Sequence, residues 1–181
     1  IQVDYAPVVD INNNPANPVI NFRSFGEDKY KVASFGSSIM KGMQDNGILA
    51  CAKHFPGHGD VSVDSHYDLP VINKSFAQLD ELELYPFKTM IKDGIGSVMV
   101  AHLYIPAIDT TTNRATSLSP NNVSKLLRQD LGFKGLTFTD ALEMKGVSKF
   151  FPQGEAAVQS LIAGNDMLCL PGDIKGSIRK V

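Results

Sequence analysis

Apolar and polar positions along the chain switch repeatedly between a period of two and a period near 3.6, and each switch marks an element. IQVDYAPVVDI (1–11) alternates and is rich in β-branched residues, which predicts a strand. Residues 27–47 set Val32, Phe35, Ile39, Met40 and Met43 at helical spacing and close on Gly47, which predicts a helix. ILACAK (48–53) is a short apolar strand that ends in charge. SFAQLDELELYPFKTMIKDG (75–94) offers Ser75 as N-cap, then Leu79, Leu82, Phe87, Met90 and Ile91, and stops at Gly94; Pro86 should kink or break this helix. SVMVA (97–101) predicts a strand, 119–133 a helix with Ser119 as N-cap and Val123, Leu126, Leu127 and Leu131 on one face, and GLTFT (135–139) a strand. Residues 155–165 read as a helix stopping at Gly164, DMLCL (166–170) as a fifth strand, and a last segment starts near Asp173.

Strands that are apolar on both faces and alternate with helices form a parallel sheet, either open and doubly wound or closed as a (β/α)₈ barrel. No glycine-rich dinucleotide fingerprint follows any strand, whereas Lys53-His54, Ala101-His102 and Thr139-Asp140 all stand just past a strand's carboxyl end. A barrel takes about 250 residues and eight strands. Five strands in 181 residues predict part of one: a single catalytic-domain fragment over 1–181 with about five βα units, lacking strands before Ile1 and after Val181.

Composition narrows the partners. Lys+Arg 17 against Asp+Glu 19, with no basic run, gives no electrostatic reason to bind nucleic acid. No apolar run approaches the roughly 20 residues of a membrane span. Cys51 and Cys169 each sit in an apolar run and read as buried thiols.

The chemistry concentrates in KHFPGHGDVSVDSHYDLP (53–70), which holds His54, His58 and His66, three aspartates and two glycines. Asp64 and His66 are two apart, so in extended backbone they point the same way and the carboxylate can hold one ring nitrogen. An imidazole, with an ordinary pKa of about 6.5, suits a group that gives and then takes a proton near neutrality. A metal cage of His54, His58, Asp60, Asp64 and His66 is the competing reading; Pro56-Gly57 excludes the helix that the familiar histidine pairing four apart requires. His58 reads equally as a loop-organising hydrogen-bonder. His102 is either a site residue or a satisfied core histidine, and Asp140 either a strand-end nucleophile or a helix N-cap.

KHFPGHG followed by DSH resembles the signature of family 3 glycoside hydrolases, in particular their β-N-acetylhexosaminidase branch. NPVINFRSFGED (17–28), SVMVAH (97–102) and GLTFTDALEM (135–144) are similar to further ordered motifs of that family. The resemblance implies Asp140 as nucleophile, His66 as acid/base with Asp64 behind it, and Arg23, Lys53 and His54 on the sugar in the −1 subsite, with His102 and Met144 lining the site. It implies a retaining exo-β-N-acetylglucosaminidase acting on glycans such as cell-wall fragments, without a cofactor, and with a further domain possible in the full-length protein. An exported, periplasmic or secreted location is implied, with a cytoplasmic one as the alternative. The family's early-strand aspartate that grips sugar hydroxyls has no counterpart assigned here. A β-glucosidase or a phosphorolytic enzyme of the family, and a sugar-binding module without turnover, are the competing functions. DSH on the barrel loop favours the hexosaminidase over the glucosidase.

Overall fold

The computed structural model describes residues 1–152 and 154–181. Five strands, β1 (Val3–Asp4), β2 (Leu49–Phe55), β3 (Ser97–Val100), β4 (Leu136–Ala141) and β5 (Met167–Cys169), form one sheet in sequence order. Every neighbouring pair is parallel, from Val3 opposite Leu49 to Phe138 opposite Met167. Strand order in a doubly wound sheet reverses at a switch point; here it never reverses, so the sheet is part of a (β/α)₈-type barrel. All strand carboxyl ends therefore lie on one rim.

The first strand is shorter than its alternation predicts. Pro7 has no N–H to donate and interrupts regular pairing. The segment still follows β2: Cys51 N–H bonds to Ala6 O, Lys53 N–H to Pro7 O, and Val9 N–H to Lys53 O at 2.8 Å. This carries the chain to Asp10, at the same rim as Lys53.

Helices α1 (Lys29–Asp45), α2 (Phe76–Glu81), α3 (Leu84–Lys92), α4 (Lys145–Ser148), α5 (Glu155–Ala163) and α6 (Ile174–Lys180) join the strands. Asp28 caps α1 by accepting from Tyr30 and Lys31 N–H, and Ser75 with Gln78 forms a capping box on α2. The break expected at Pro86 is present, with Pro86 in the first turn of α3. Gly164, at φ 107°, ends α5. Residues 121–130 wind as a π-helix instead of the expected α-helix, with Lys125 N–H on Pro120 O and Leu131 N–H on Leu126 O. Its buried face still carries Val123, Leu126 and Leu127.

Between sheet and helices, Ala50, Ala52, Val98 and Val100 pack with Val9, Met40, Phe87, Met90 and Leu127. On α1 the buried positions are Val32, Ala33, Gly36, Ser37 and Met40. Phe35 and Ile39, predicted to face the core, are 52% and 40% exposed. Gly36 explains the rotation: a Cβ there would meet Val9 Cγ1 at 2.7 Å, so the helix lies down on its smallest residue. Phe35 packs on Phe25 instead, with ring centroids 5.8 Å apart.

The opposite sheet face carries Cys51, Met99 and Phe138. The strand period of two then sets Lys53 with Cys51, and Asp140 with Phe138, on this inner face. Among the described residues no helix is long and apolar enough to cross a membrane.

Candidate active site

Where the inner face meets the rim lies a cavity of about 520 Å³ whose walls include Arg23, Lys53, His54, His58, Ser65, His66 and Asp140. Tyr5, Met99, Leu168 and Leu170 supply apolar wall. Residues from all five strands or their ends and from two loop segments, around Arg23 and around 58–66, thus converge.

Asp140 sits one residue before the end of β4, and its Oδ1 accepts from Ala141 N–H at 2.8 Å. Burial pushes its carboxyl up, but the nearby imidazoles of His102 and His54 and the Ala141 N–H outweigh burial and hold it below the ordinary carboxylate range. It is therefore an ionised carboxylate facing the cavity. Lys53 has no ion pair of its own among the described residues. Burial, and then the charge of Arg23, lower its ammonium below the usual lysine value. A donor held in no direct ion pair at a cavity wall is available to a ligand.

Consecutive Lys53 and His54 both line the cavity, and the peptide bond joining them is cis. Arg23 comes from the 3₁₀ turn Asn21–Arg23; its Nη1 donates to Val19 O and its Nη2 lies 3.4 Å from His54 Nε2. His66 projects from the loop, its Nδ1 2.7 Å from Asp64 Oδ1, which also accepts the His66 backbone N–H at 2.9 Å. Asp64 is not a cavity wall but stands behind the imidazole. The His66 N–H groups hold its carboxyl low against the opposing effect of burial.

His102 and Met144 are buried and are not among the walls. His102 Nε2 donates to Ala141 O at 3.0 Å and Nδ1 lies 2.7 Å from Ser117 Oγ, so this histidine braces the chain directly after Asp140. Met144 N–H closes the same turn on Ala141 O.

The loop that carries His66 is fixed at several points. Gly59 lies against the Ile11 carbonyl, where any Cβ would overlap the oxygen. Lys74 joins Asp60 at 2.6 Å and the buried Glu83 at 2.5 Å, closing the loop's base. Its far side rests on α4: Gly146 N–H donates to Ser65 O at 3.1 Å, and Lys149 reaches Asp68 at 3.0 Å. Among the described residues no group of three or more His, Cys, Asp or Glu is arranged to hold an ion.

Asp10 was not recognised in the sequence. It is fully buried and accepts from His54 and His58. Its signal is the one that picked out Lys53 and Asp140: a charged residue closing an apolar strand, VVD. Ser65, between the two singled-out residues Asp64 and His66, had no signal of its own.

Acids and bases gathered from strand ends on the carboxyl rim of a parallel sheet are the arrangement of barrel enzymes. The chain belongs to glycosyl hydrolase family 3, whose N-terminal domain matches residues 1–180. Beta-hexosaminidase A of Pseudoalteromonas piscicida is 40% identical over 181 residues, which cover 94% of this chain and 30% of that protein. A family 3 β-N-acetylglucosaminidase structure from Paenibacillus sp. str. FPU-7 superposes with a TM-score of 0.96 at 43% identity, covering 99% of this chain and 34% of that one. A β-glucoside phosphorylase bound to 2FGlc gives 0.92 at 29% identity, over 100% of this chain and 34% of its own. The chain thus spans about a third of the length of these relatives.

Proposed function

We propose that this chain, as a fragment of one catalytic domain, forms the reacting face of a retaining exo-β-N-acetylglucosaminidase that removes terminal β-GlcNAc from glycans such as cell-wall fragments. One observation carries the reading: an ionised strand-end carboxylate, Asp140, shares a cavity with an imidazole, His66, that is backed by Asp64 at 2.7 Å. The names of the hexosaminidase relatives support the choice of sugar.

In the first step an Asp140 oxygen bonds to the anomeric carbon, the glycosidic C–O bond breaks, and the departing oxygen takes the proton from His66 Nε2. In the second, a water gives a proton to Nε2 while its oxygen bonds to the anomeric carbon and displaces Asp140. Asp64 orients the imidazole through Nδ1. Arg23, Lys53 and His54 hold sugar hydroxyls. His102 and Met144 act from beneath, by fixing the turn after Asp140.

Phosphorolysis is a second reading, supported by the likeness to the β-glucoside phosphorylase. A neutral imidazole base repels incoming phosphate less than a carboxylate would. The test is made on the full-length protein with a 5-fluoro-N-acetylglucosaminyl donor, followed by peptide mapping. A label on Asp140 is expected, and a label elsewhere overturns the assignment. Phosphate-dependent release of sugar 1-phosphate would select the second reading. Binding of GlcNAc with no release of aglycone would indicate a sugar-binding module.

A further inference from the structure

Three N–H groups converge on one carboxylate. Asp10 accepts from His58 N–H at 2.7 Å, from His54 N–H at 3.1 Å and from the His54 ring Nδ1 at 2.7 Å. A carboxylate below its ordinary pKa only accepts, so Nδ1 carries a proton, and in the neutral His54 ring Nε2 then keeps a lone pair. Arg23, which only donates, lies 3.4 Å from that Nε2, in keeping with an acceptor there.

A second arm runs through His58. Its Nε2 lies 3.1 Å from Ser65 Oγ, and its Nδ1 is buried without a partner among the described residues. Orphaned buried N–H groups are rarer than under-used acceptors, so the His58 proton sits on Nε2 and is donated to Ser65. Ser65 Oγ has no other hydrogen bond among the described residues, and Ser65 is a wall of the cavity. Its own hydroxyl proton is left to face the ligand.

We propose that Asp10 is a positioning residue that fixes His54 as an acceptor toward the sugar and anchors His58 as a donor to Ser65, making the Ser65 hydroxyl a further substrate-binding donor. The proposal rests on the glycosidase reading of this cavity. Sugar hydroxyls both give and take hydrogen bonds, whereas Arg23 and Lys53 can only give. Besides Asp140, which must stay free to attack, and His66 Nε2, which serves the leaving oxygen and the water, His54 Nε2 is a wall nitrogen that can accept a hydroxyl hydrogen bond. Its tautomer therefore decides whether a bound hydroxyl is held at both ends.

The test combines nitrogen NMR and kinetics on the full-length protein with ¹⁵N-labelled imidazoles, each resonance identified by its loss in His54→Gln and His58→Gln. Of the two neutral tautomers, His54 is expected to adopt the one protonated at Nδ1 and His58 the one protonated at Nε2. Asp10→Asn, whose amide donates, should move the His54 proton to Nε2 and raise KM more than it lowers kcat. Ser65→Ala should raise KM about tenfold, the worth of one hydrogen bond, with kcat little changed. Either wild-type tautomer reversed, or an unchanged KM in Ser65→Ala, overturns the proposal. The spectra need no turnover: expected tautomers in a protein that releases no aglycone would sink the glycosidase reading alone, and wild-type spectra stand even if Asp10→Asn does not fold.

Discussion

Asp64 Oδ1 grips His66 twice, through the backbone N–H at 2.9 Å and the ring Nδ1 at 2.7 Å, so backbone and imidazole turn together. Nε2 is the ring nitrogen that Asp64 leaves free. A general acid matters in proportion to the basicity of the leaving oxygen and supplies on the order of 10²–10⁴-fold. His66→Ala should lose that much on natural glycans and far less on nitrophenyl glycosides. Asp64→Asn should give a milder version that mostly vanishes in the His66→Ala background. Rates plotted against leaving-group acidity for wild type, both singles and the double check this. Equal losses on every leaving group would make His66 a binding residue.

Stability should fall in acid in two stages. Burial, and then the neighbouring His54, lower His58 to about 4. Between about 4 and 6.5 the unfolded chain binds a proton there that the folded protein does not, so the stabilisation is complete above 6.5 and drains as pH falls toward 4. The drop corresponds to roughly 3 kcal/mol. His102, lowered mainly by burial, adds in the same direction. Asp10, Asp64 and Asp140 lie below the ordinary range; their contribution is present above about 3.9 and is lost at still lower pH. Urea midpoints measured from pH 7.5 to 3 should show both stages, and His58→Gln should flatten the first. A midpoint that stays constant from 7 to 4.5 would contradict this account.

Gly59→Ala should destabilise by about 2 kcal/mol or more, because the added methyl meets backbone and not a side chain that could swing away. Calorimetry gives the magnitude, and proteolysis within 60–73 should rise. A midpoint within a degree of wild type would show that the strand-end contact with Ile11 is not tight in solution.

Lys74→Met should cost about 3–5 kcal/mol, since it strands the buried Glu83 carboxylate without its cation. Glu83→Gln added to it should recover much of the loss, because an uncharged amide needs no counter-ion. Denaturant unfolding of the two variants against wild type decides. A double variant no more stable than Lys74→Met would show that the ion pair itself, and not the stranded charge, matters.

The sequence made most of the scaffold legible because strands buried on both faces and capped helices leave strong local signals. Ser75 with Gln78, Pro86 and Gly164 all act where their chemistry says they should. What escaped depended on neighbours. Phe35 and Ile39 fit a helical stripe as well as Ala33, Gly36 and Ser37 do, and only the close approach of Val9 and Met90 selects the smaller set. Lys53, His54, His66 and Asp140 were visible as polar residues at strand ends or in one dense loop, and the cavity brings all four together with Arg23. Asp10 obeyed the same rule but stood in a strand without a neighbouring motif. His102 and Met144 lie one layer below the walls, a depth that periodicity does not report.

The resting place of the His66 loop on α4 bears on how the protein is made. Asp68 and Lys149, which meet across that contact, are 81 positions apart, and both Gly146 and Asp140 follow the loop by a similar stretch of chain. On the ribosome the loop emerges first and has nothing to lie on until the later strand and helix have left the exit tunnel. A nascent chain halted before residue 140 therefore holds Lys53 and His54 but neither Asp140 nor a seated His66 loop. The cavity is completed only late in synthesis.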